Sequence, residues 1–152
     1  MISIALYKPD IPQNTAAIVR LCACFKMKVH LIEPCGFNLN DSRFKRVVMD
    51  YLGHSNITRH EDYKCFLKNN LKSRVVLLST KAKKNCYDFK FKKDDILLFG
   101  RESAGVPQKV HDTLENKLRV PMDKNTRSLN VAMTVAIVSS EALRQNNFFN
   151  NL

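Results

Sequence analysis

Three loops combine proline or glycine with amide, carboxylate and basic side chains, which are residue types that can hold a small ligand or orient a hydroxyl group. They cover residues 9–14 (PDIPQN), 99–107 (FGRESAGVP) and 120–130 (VPMDKNTRSLN). Each loop follows a short apolar run, and ligands collect where the strands of an open parallel sheet end. Within these loops, Asn14 and Asn130 supply amide side chains and Glu102 supplies a carboxylate.

The second loop fits neither of the common nucleotide-binding motifs. Gly100 and Gly105 have the spacing of a P-loop, but Val106 and Pro107 stand where that motif needs a lysine and a hydroxyl residue. A dinucleotide fingerprint would place glycines directly after the first strand, and this segment of the chain has none. Two interpretations remain: the glycines let backbone amides approach a ligand closely, or they only form tight turns.

Arg20 lies between Val19 and Leu21 in an otherwise apolar helical stretch. An arginine at the centre of such a helix is either a buried salt-bridge partner or a functional group that faces a cleft. Asn14 and Ser128 also have a second interpretation, because both residue types often cap the first turn of a helix.

The histidines and cysteines do not indicate a metal site. The four histidines lack metal-ligand spacing, and we expect them to be structural or exposed. The five cysteines include no Cys-x-x-Cys pair, so we expect reduced thiols packed as small apolar residues. These residues are His30, His54, His60 and His111, and Cys22, Cys24, Cys35, Cys65 and Cys86.

The charge balance predicts a polyanionic partner. Lysine and arginine total 25 against 14 acidic residues, which gives a net charge of +11. Residues 81–93 contain six lysines against the single Asp88 up to position 93, and Arg43, Lys45 and Arg46 form a second cluster. Such a footprint is typical of nucleic-acid binding, although a solvated surface would have the same composition. The absence of tryptophan argues against an unstructured stacking platform for single strands.

The elements that must position these residues alternate along the chain. Apolar runs predict strands over residues 2–7, 29–32, 74–79, 95–99 and 117–120. Helical spacing predicts helices over residues 13–26, 41–49, 61–69 and 128–145, with a short helix after Pro107. This order predicts an α/β fold in which helices sandwich a mostly parallel sheet, in a single domain over residues 1–152 with a frayed tail after residue 145.

The sequence contains no pattern typical of export or membrane insertion. No basic leader opens the chain, and the longest uncharged stretch, residues 128–140, is too short to span a bilayer. We therefore expect a cytoplasmic protein that has no membrane partner.

The three loops resemble the signature motifs of the SpoU branch of the SPOUT methyltransferases. The matching segments are residues 14–20 (NTAAIVR), 98–107 (LFGRESAGVP), 119–122 (RVPM) and 127–132 (RSLNVA). The resemblance covers essentially the whole chain, and its short length is similar to the minimal members that methylate the wobble nucleotide of tRNA. It implies a ribose 2′-O-methyltransferase that acts on cytidine or a modified uridine in the anticodon stem-loop and does not act on DNA.

The resemblance also implies a deep trefoil knot in the C-terminal part of the sheet and S-adenosylmethionine as methyl donor, with no metal. The implied cofactor residues are Leu78, Gly100, Val120, Met122, Ser128 and Leu129. Arg20, Asn14, Glu102 and Asn130 are the implied catalytic residues. We expect Arg20 to hold an RNA phosphate or the developing oxyanion, because a guanidinium almost never loses its proton. Glu102 could complement the sulfonium or anchor Arg101.

The same resemblance implies an obligate homodimer built on the first and last helices. We expect two apolar faces to form its interface, so that Arg20 of one chain approaches Gly100 and Asn130 of the other. These faces comprise Ile18, Leu21, Cys22 and Phe25 on the first helix and Val131, Val135 and Val138 on the last. Two alternatives stay open, namely an rRNA 2′-O-methyltransferase and a knotted RNA-binding protein without catalytic activity.

Overall fold

Strands and helices follow one another in the computed structural model, which describes residues 1–42, 44–46, 48 and 56–151. The strands are β1 (Ser3–Tyr7), β2 (Lys28–Ile32), β3 (Asn56–His60), β4 (Val75–Leu78), β5 (Lys84–Asn85), β6 (Ile96–Phe99) and β7 (Asn116–Arg119). The helices are α1 (Pro12–Cys24), α2 (Tyr63–Asn69), α3 (Gln108–Thr113) and α4 (Val131–Gln145), and short 3₁₀ turns cover Cys86–Asp88 and Phe148–Asn151. Arg43 and His54 lie outside the described residues. Within the helix predicted over residues 41–49, the described residues 42, 44–46 and 48 are helical.

Every strand pairing in the described sheet is parallel, and the strand order is β3-β2-β1-β6-β4-β7-β5. Strands β1 and β6 are buried along their whole length, as expected for apolar runs covered on both faces. Ile4 and Leu6 of β1 face the core that includes α1 and α4, whereas Ala5 and Tyr7 face the core beside α2 and α3. The predicted α/β sandwich around a parallel sheet is confirmed.

Two strands escaped the sequence analysis, and both lie at edges of the sheet. β3 contains asparagine, threonine, arginine and histidine, so it lacks the apolar run by which the other strands are recognised. β5 has only two residues. An edge strand needs few apolar side chains, because one of its sides faces solvent rather than another strand.

Four of the seven residues predicted for an interface between chains are buried inside one chain, so the prediction is wrong for Ile18, Cys22, Val135 and Val138. Leu21, Phe25 and Val131 are only partly buried. Ile18 is 1% exposed, and Cys22, Val135 and Val138 are completely buried in the same core. Two amphipathic helices on one face of a sheet bury their apolar stripes against the sheet and each other.

The tail is packed rather than frayed. Phe148 and Phe149 in the last 3₁₀ turn contact the ring of Phe25 edge-on, with centroid distances of 6.4 and 5.7 Å. Both tail residues therefore have an apolar partner at the end of α1. Among the described residues, no helix is long and apolar enough to cross a membrane.

Candidate active site

The three loops rich in polar residues meet around one open cleft of about 510 Å³. They follow β1, β6 and β7, and the turn after β4 completes the wall, because the ends of parallel strands meet at the same edge of the sheet. Nine of the residues predicted from the sequence line this cleft. They are Asn14, Leu78, Gly100, Glu102, Val120, Met122, Ser128, Leu129 and Asn130.

A chain of side-chain hydrogen bonds ties the three loops together. Asn14 Nδ2 donates to Glu102 Oε1 at 3.1 Å, and Asn130 Nδ2 donates to Asn14 Oδ1 at 3.0 Å. Asn130 Oδ1 accepts from the backbone N–H of Ala132 at 2.8 Å and thereby caps α4. Asn14 therefore joins the first loop to both of the others, while Asn130 joins the third loop to the first and caps the helix that follows it.

The two capping predictions are wrong. Helix α4 begins at Val131 and is capped by Asn130, not by Ser128. Helix α1 has Ile11 at its cap position, with no side-chain hydrogen bond there, and a proline in the first turn. This leaves the Asn14 amide available for Glu102 and Asn130.

Asp10 connects the first loop to the second, although the sequence analysis did not single it out. Its carboxylate pairs with the Arg101 guanidinium and accepts hydrogen bonds from the hydroxyl and the backbone N–H of Ser103. The Asp10 backbone N–H donates to Glu102 Oε2 at 2.8 Å. The bonds from Arg101 and Ser103 hold the pKa of the Asp10 carboxyl well below its usual value. Among the described hydrogen bonds, Arg101 is held by Asp10, and Glu102 accepts instead from Asn14 and from the Asp10 backbone.

The glycine loop folds back on itself. Arg101 and Gly105 exchange backbone hydrogen bonds of 3.2 and 2.8 Å, and Gly105 has a φ of 68°. A Cβ atom on Gly100 would lie 2.5 Å from the carbonyl carbon of Gly105. Gly100 is thus required by a tight turn, which was one of the two interpretations of this loop.

Arg20 stands apart from the other candidates. It is exposed on α1 and is not one of the described residues that line the cleft. The interpretation of Arg20 as a buried salt-bridge partner is therefore wrong.

Basic side chains enter the cleft from several directions. Lys81, Arg119 and Arg127 line it together with His111, whose Nε2 is buried without a hydrogen-bond partner among the described residues. Arg119 and Arg127 lie within the motif segments and Lys81 lies within the lysine run, but the sequence alone indicates no role for these three residues. Nothing in the local sequence distinguishes His111.

His30 and His60 form a buried pair between β2 and β3. His30 Nδ1 lies 3.0 Å from His60 Nε2, and both rings contact Phe66. Burial, with the nearby Lys28, lowers the pKa of His30 to about 4 and also lowers the pKa of His60. A structural role was predicted for histidines here, but the sequence did not indicate that they pair. The described residues contain no group of histidine, cysteine and carboxylate side chains that could hold a metal ion, and all five cysteines are free thiols.

This geometry can be compared with known proteins. Residues 1–140 match the SpoU rRNA Methylase family. The chain belongs to this family of methyltransferases. It is 48% identical to the tRNA (cytidine(34)-2′-O)-methyltransferase of Beijerinckia indica subsp. indica. The alignment spans 144 residues and covers 93% of this chain and 90% of that protein.

Solved structures agree with this assignment. A structure reported for the 2′-OH methylation of C/U34 on tRNA superimposes with a TM-score of 0.92 at 36% identity, and the match covers 97% of each chain. An AdoMet-bound rRNA methyltransferase from Sinorhizobium meliloti shares the fold with a TM-score of 0.84 at 22% identity. That match covers 94% of this chain but only 56% of the larger protein.

Proposed function

We propose that this protein transfers the methyl group of S-adenosylmethionine to the ribose 2′-oxygen of nucleotide 34 in the tRNA anticodon. The observation that carries the proposal is the convergence of all six predicted cofactor residues on one cleft that also contains basic side chains. The relatives that match nearly the whole chain are named for methylation of cytidine 34 in tRNA.

The cleft fits a ligand of the size and chemistry of S-adenosylmethionine. Its volume of about 510 Å³ lies within the range of roughly 300–1,000 Å³ that is typical of small-molecule sites. Leu78, Val120 and Met122 offer an apolar wall for a planar base, and the loop backbones offer polar groups. The unsatisfied Nε2 of His111 is a buried nitrogen that a ligand atom can satisfy.

S-adenosylmethionine would supply a methyl group activated by its positively charged sulfur. A bond would form between the ribose 2′-oxygen and the methyl carbon as the carbon–sulfur bond breaks, which gives neutral S-adenosylhomocysteine and releases the hydroxyl proton to solvent. The protein contributes mainly by holding the two reactants in position and by stabilising the charge that develops. Asn14, Glu102 and Asn130 fix the loops around the cleft, and the Glu102 carboxylate adds negative charge beside the cationic donor. Arg20 provides a permanent positive charge for an RNA phosphate or the developing oxyanion.

The proposal includes a homodimer and a knotted C-terminal region. Arg20 is exposed outside its own cleft, and Met133 on α4 is 60% exposed, so a partner chain that covers these helices could bring Arg20 to a second cleft. The proposed knot rests on membership of the SpoU family.

Purified protein, S-adenosylmethionine and unmodified tRNA provide the direct test. We expect mass spectrometry of the digested product to show one methyl group on the ribose of nucleotide 34. Calorimetry should show one S-adenosylmethionine bound per chain and no binding of NAD or ATP. Methylation of an rRNA fragment in place of tRNA would reject the proposed substrate, and a failure to bind S-adenosylmethionine would reject the proposed enzyme.

A further inference from the structure

The edge of the sheet beyond β7 carries a dense set of exposed lysines. Strand β5 and the 3₁₀ turn after it lie in the middle of the run between residues 81 and 93, and all six lysines of that run are exposed. In the part of the chain that the structure describes, no ion pair joins any of them to an acidic side chain. The six are Lys81, Lys83, Lys84, Lys90, Lys92 and Lys93.

This basic edge is continuous with the cleft. Lys81 follows β4 and lines the cleft itself. On the neighbouring strand, Arg119 also lines the cleft and is in register with Asn85 of β5, while Lys84 is in register with Leu118. Positive charge therefore extends from the wall of the cleft to the outer edge of the sheet.

Tyr87 stands out of this edge as an exposed aromatic ring. It is 51% exposed, whereas its neighbours Cys86 and Phe89 are 0% and 7% exposed and anchor the turn in the core. The Tyr87 backbone N–H donates to Asn85 Oδ1 at 2.9 Å. Gln145 of α4 donates to the carbonyl oxygen of Phe89 at 3.0 Å, which fixes the end of the turn. The ring is thus presented to solvent on a fixed support.

We propose that this basic edge, formed by Lys81, Lys83, Lys84, Tyr87 and Lys90, binds the RNA substrate outside the cleft. The lysines contact phosphates, and Tyr87 stacks on an unpaired base, which is the combination that recognises single-stranded segments of nucleic acid. An anionic membrane is a poorer fit, because binding to one needs a cluster of exposed apolar residues and Phe89 is buried. The proposal rests on the proposed function, since it assigns a binding surface to the same tRNA.

The test compares two RNA hairpins by fluorescence anisotropy. One is the anticodon stem-loop with its seven-membered loop, and the other is a fully paired hairpin of similar length closed by a tight turn. Each has about 17 nucleotides, which keeps several phosphates within reach of the lysines. We expect Tyr87→Ala to weaken binding of the stem-loop by roughly 5- to 150-fold and to leave the paired hairpin nearly unaffected. Tyr87→Phe keeps the stacking face and should restore the affinity.

The lysines are tested by salt dependence. The double variant Lys83→Gln, Lys84→Gln should weaken binding of both hairpins. For each phosphate contact that is lost, the slope of log affinity against log salt concentration should become shallower by about 0.7 to 0.9. The matched control is Lys64→Gln, Lys68→Gln, which removes two exposed lysines from α2 near the opposite edge of the sheet. All these positions are exposed, and thermal melting confirms that each variant is folded.

If Tyr87→Ala binds the stem-loop as tightly as the wild type, the proposed stacking contact is wrong. If the two double lysine variants weaken RNA binding equally, the proposed RNA-binding surface is wrong. Tight binding to phosphatidylserine vesicles with no RNA binding would assign the edge to a membrane and overturn it as well. The proposed function fails separately: wild-type protein would bind the stem-loop through these lysines but incorporate no methyl group.

Discussion

The Asp10 carboxylate joins the first loop to the glycine loop. It holds both Arg101 and Ser103, and its own N–H holds Glu102. We predict that Asp10→Asn loosens the glycine loop, because the amide cannot pair ionically with Arg101. The Arg101 side chain is 37% exposed, so the effect should be modest, roughly a fivefold loss of S-adenosylmethionine affinity by calorimetry.

The control for this prediction is Asp88→Asn, which removes an exposed carboxylate from the turn after β5. Its S-adenosylmethionine affinity should equal that of the wild type. If Asp10→Asn also binds the cofactor normally, the carboxylate does not position the loop.

Gly100 and Gly105 form a matched pair with different physical requirements. An alanine Cβ at position 100 would lie 2.5 Å from backbone, whereas at position 105 it would meet nothing within 4 Å but would adopt a φ of 68°. We predict that Gly100→Ala abolishes measurable cofactor binding and lowers the free energy of unfolding by about 1–3 kcal/mol. Gly105→Ala should cost only about 1–2 kcal/mol of left-handed strain and keep weakened binding. Calorimetry and urea unfolding of both variants provide the comparison, and equal cofactor affinities would contradict it.

At the scale of elements, the buried histidine pair joins edge strand β3 to β2. His30 has a pKa of about 4 in the fold, below the value of about 6.5 expected when unfolded. The unfolded chain therefore binds more protons between these two values, so stability is complete above about pH 6.5 and declines as the pH falls toward 4. We predict a loss of roughly 3 kcal/mol at most across this window, measured by urea unfolding.

The variant His30→Leu removes the titrating ring, so its unfolding free energy should be lower at pH 7 but flatter between pH 6.5 and 4.5. Asp10 does not contribute to this window. Its pKa lies well below the usual value, so its stabilising effect is complete above about pH 4 and is lost only below it. Parallel pH profiles for wild type and His30→Leu would show that other groups cause the decline.

How far the sequence predicted these elements depended on burial. β1, β4 and β6 are nearly pure apolar runs, and the sequence analysis found all three. β3 could not be found this way, because an edge strand tolerates polar residues such as Asn56 and Arg59. The same limit applies to the tail, where Phe148 gains its partner, Phe25, only through the tertiary fold.

The site was predictable as a set of loops but not as a network. Motif resemblance selected nine residues that do line one cleft. The hydrogen bonds of Asn14, Asp10 and Glu102 join positions separated by about ninety residues in the chain, and only the register of the sheet decides which amide meets which carboxylate. That is also why Asn14 was open to interpretation as a helix cap.

At the scale of the whole molecule, the position of Arg20 predicts an active site shared between two chains. Chains with Arg20→Ala and chains with Gly100→Ala should each be inactive alone. In a mixed dimer, one site combines the intact arginine of one chain with the intact cleft of the other. About half of the wild-type activity per mixed dimer should therefore return, measured by methyl incorporation into tRNA.

Native mass spectrometry must show the mixed dimers before this result is interpreted. An inactive mixture that contains them would place Arg20 at the cleft of its own chain, and a protein that stays monomeric at working concentrations would remove the dimer altogether.

The strand order has a consequence for how the chain is made. β1, β2 and β3 can pair as they emerge from the ribosome, but the other edge of β1 waits for β6, which ends at Phe99. β4 joins the sheet only through β6 and β7, which are synthesised after it. The nascent chain therefore exposes an apolar, hydrogen-bonding edge for most of its synthesis, and such edges promote aggregation. The risk of misassembly is therefore greater for the nascent chain than for the folded protein.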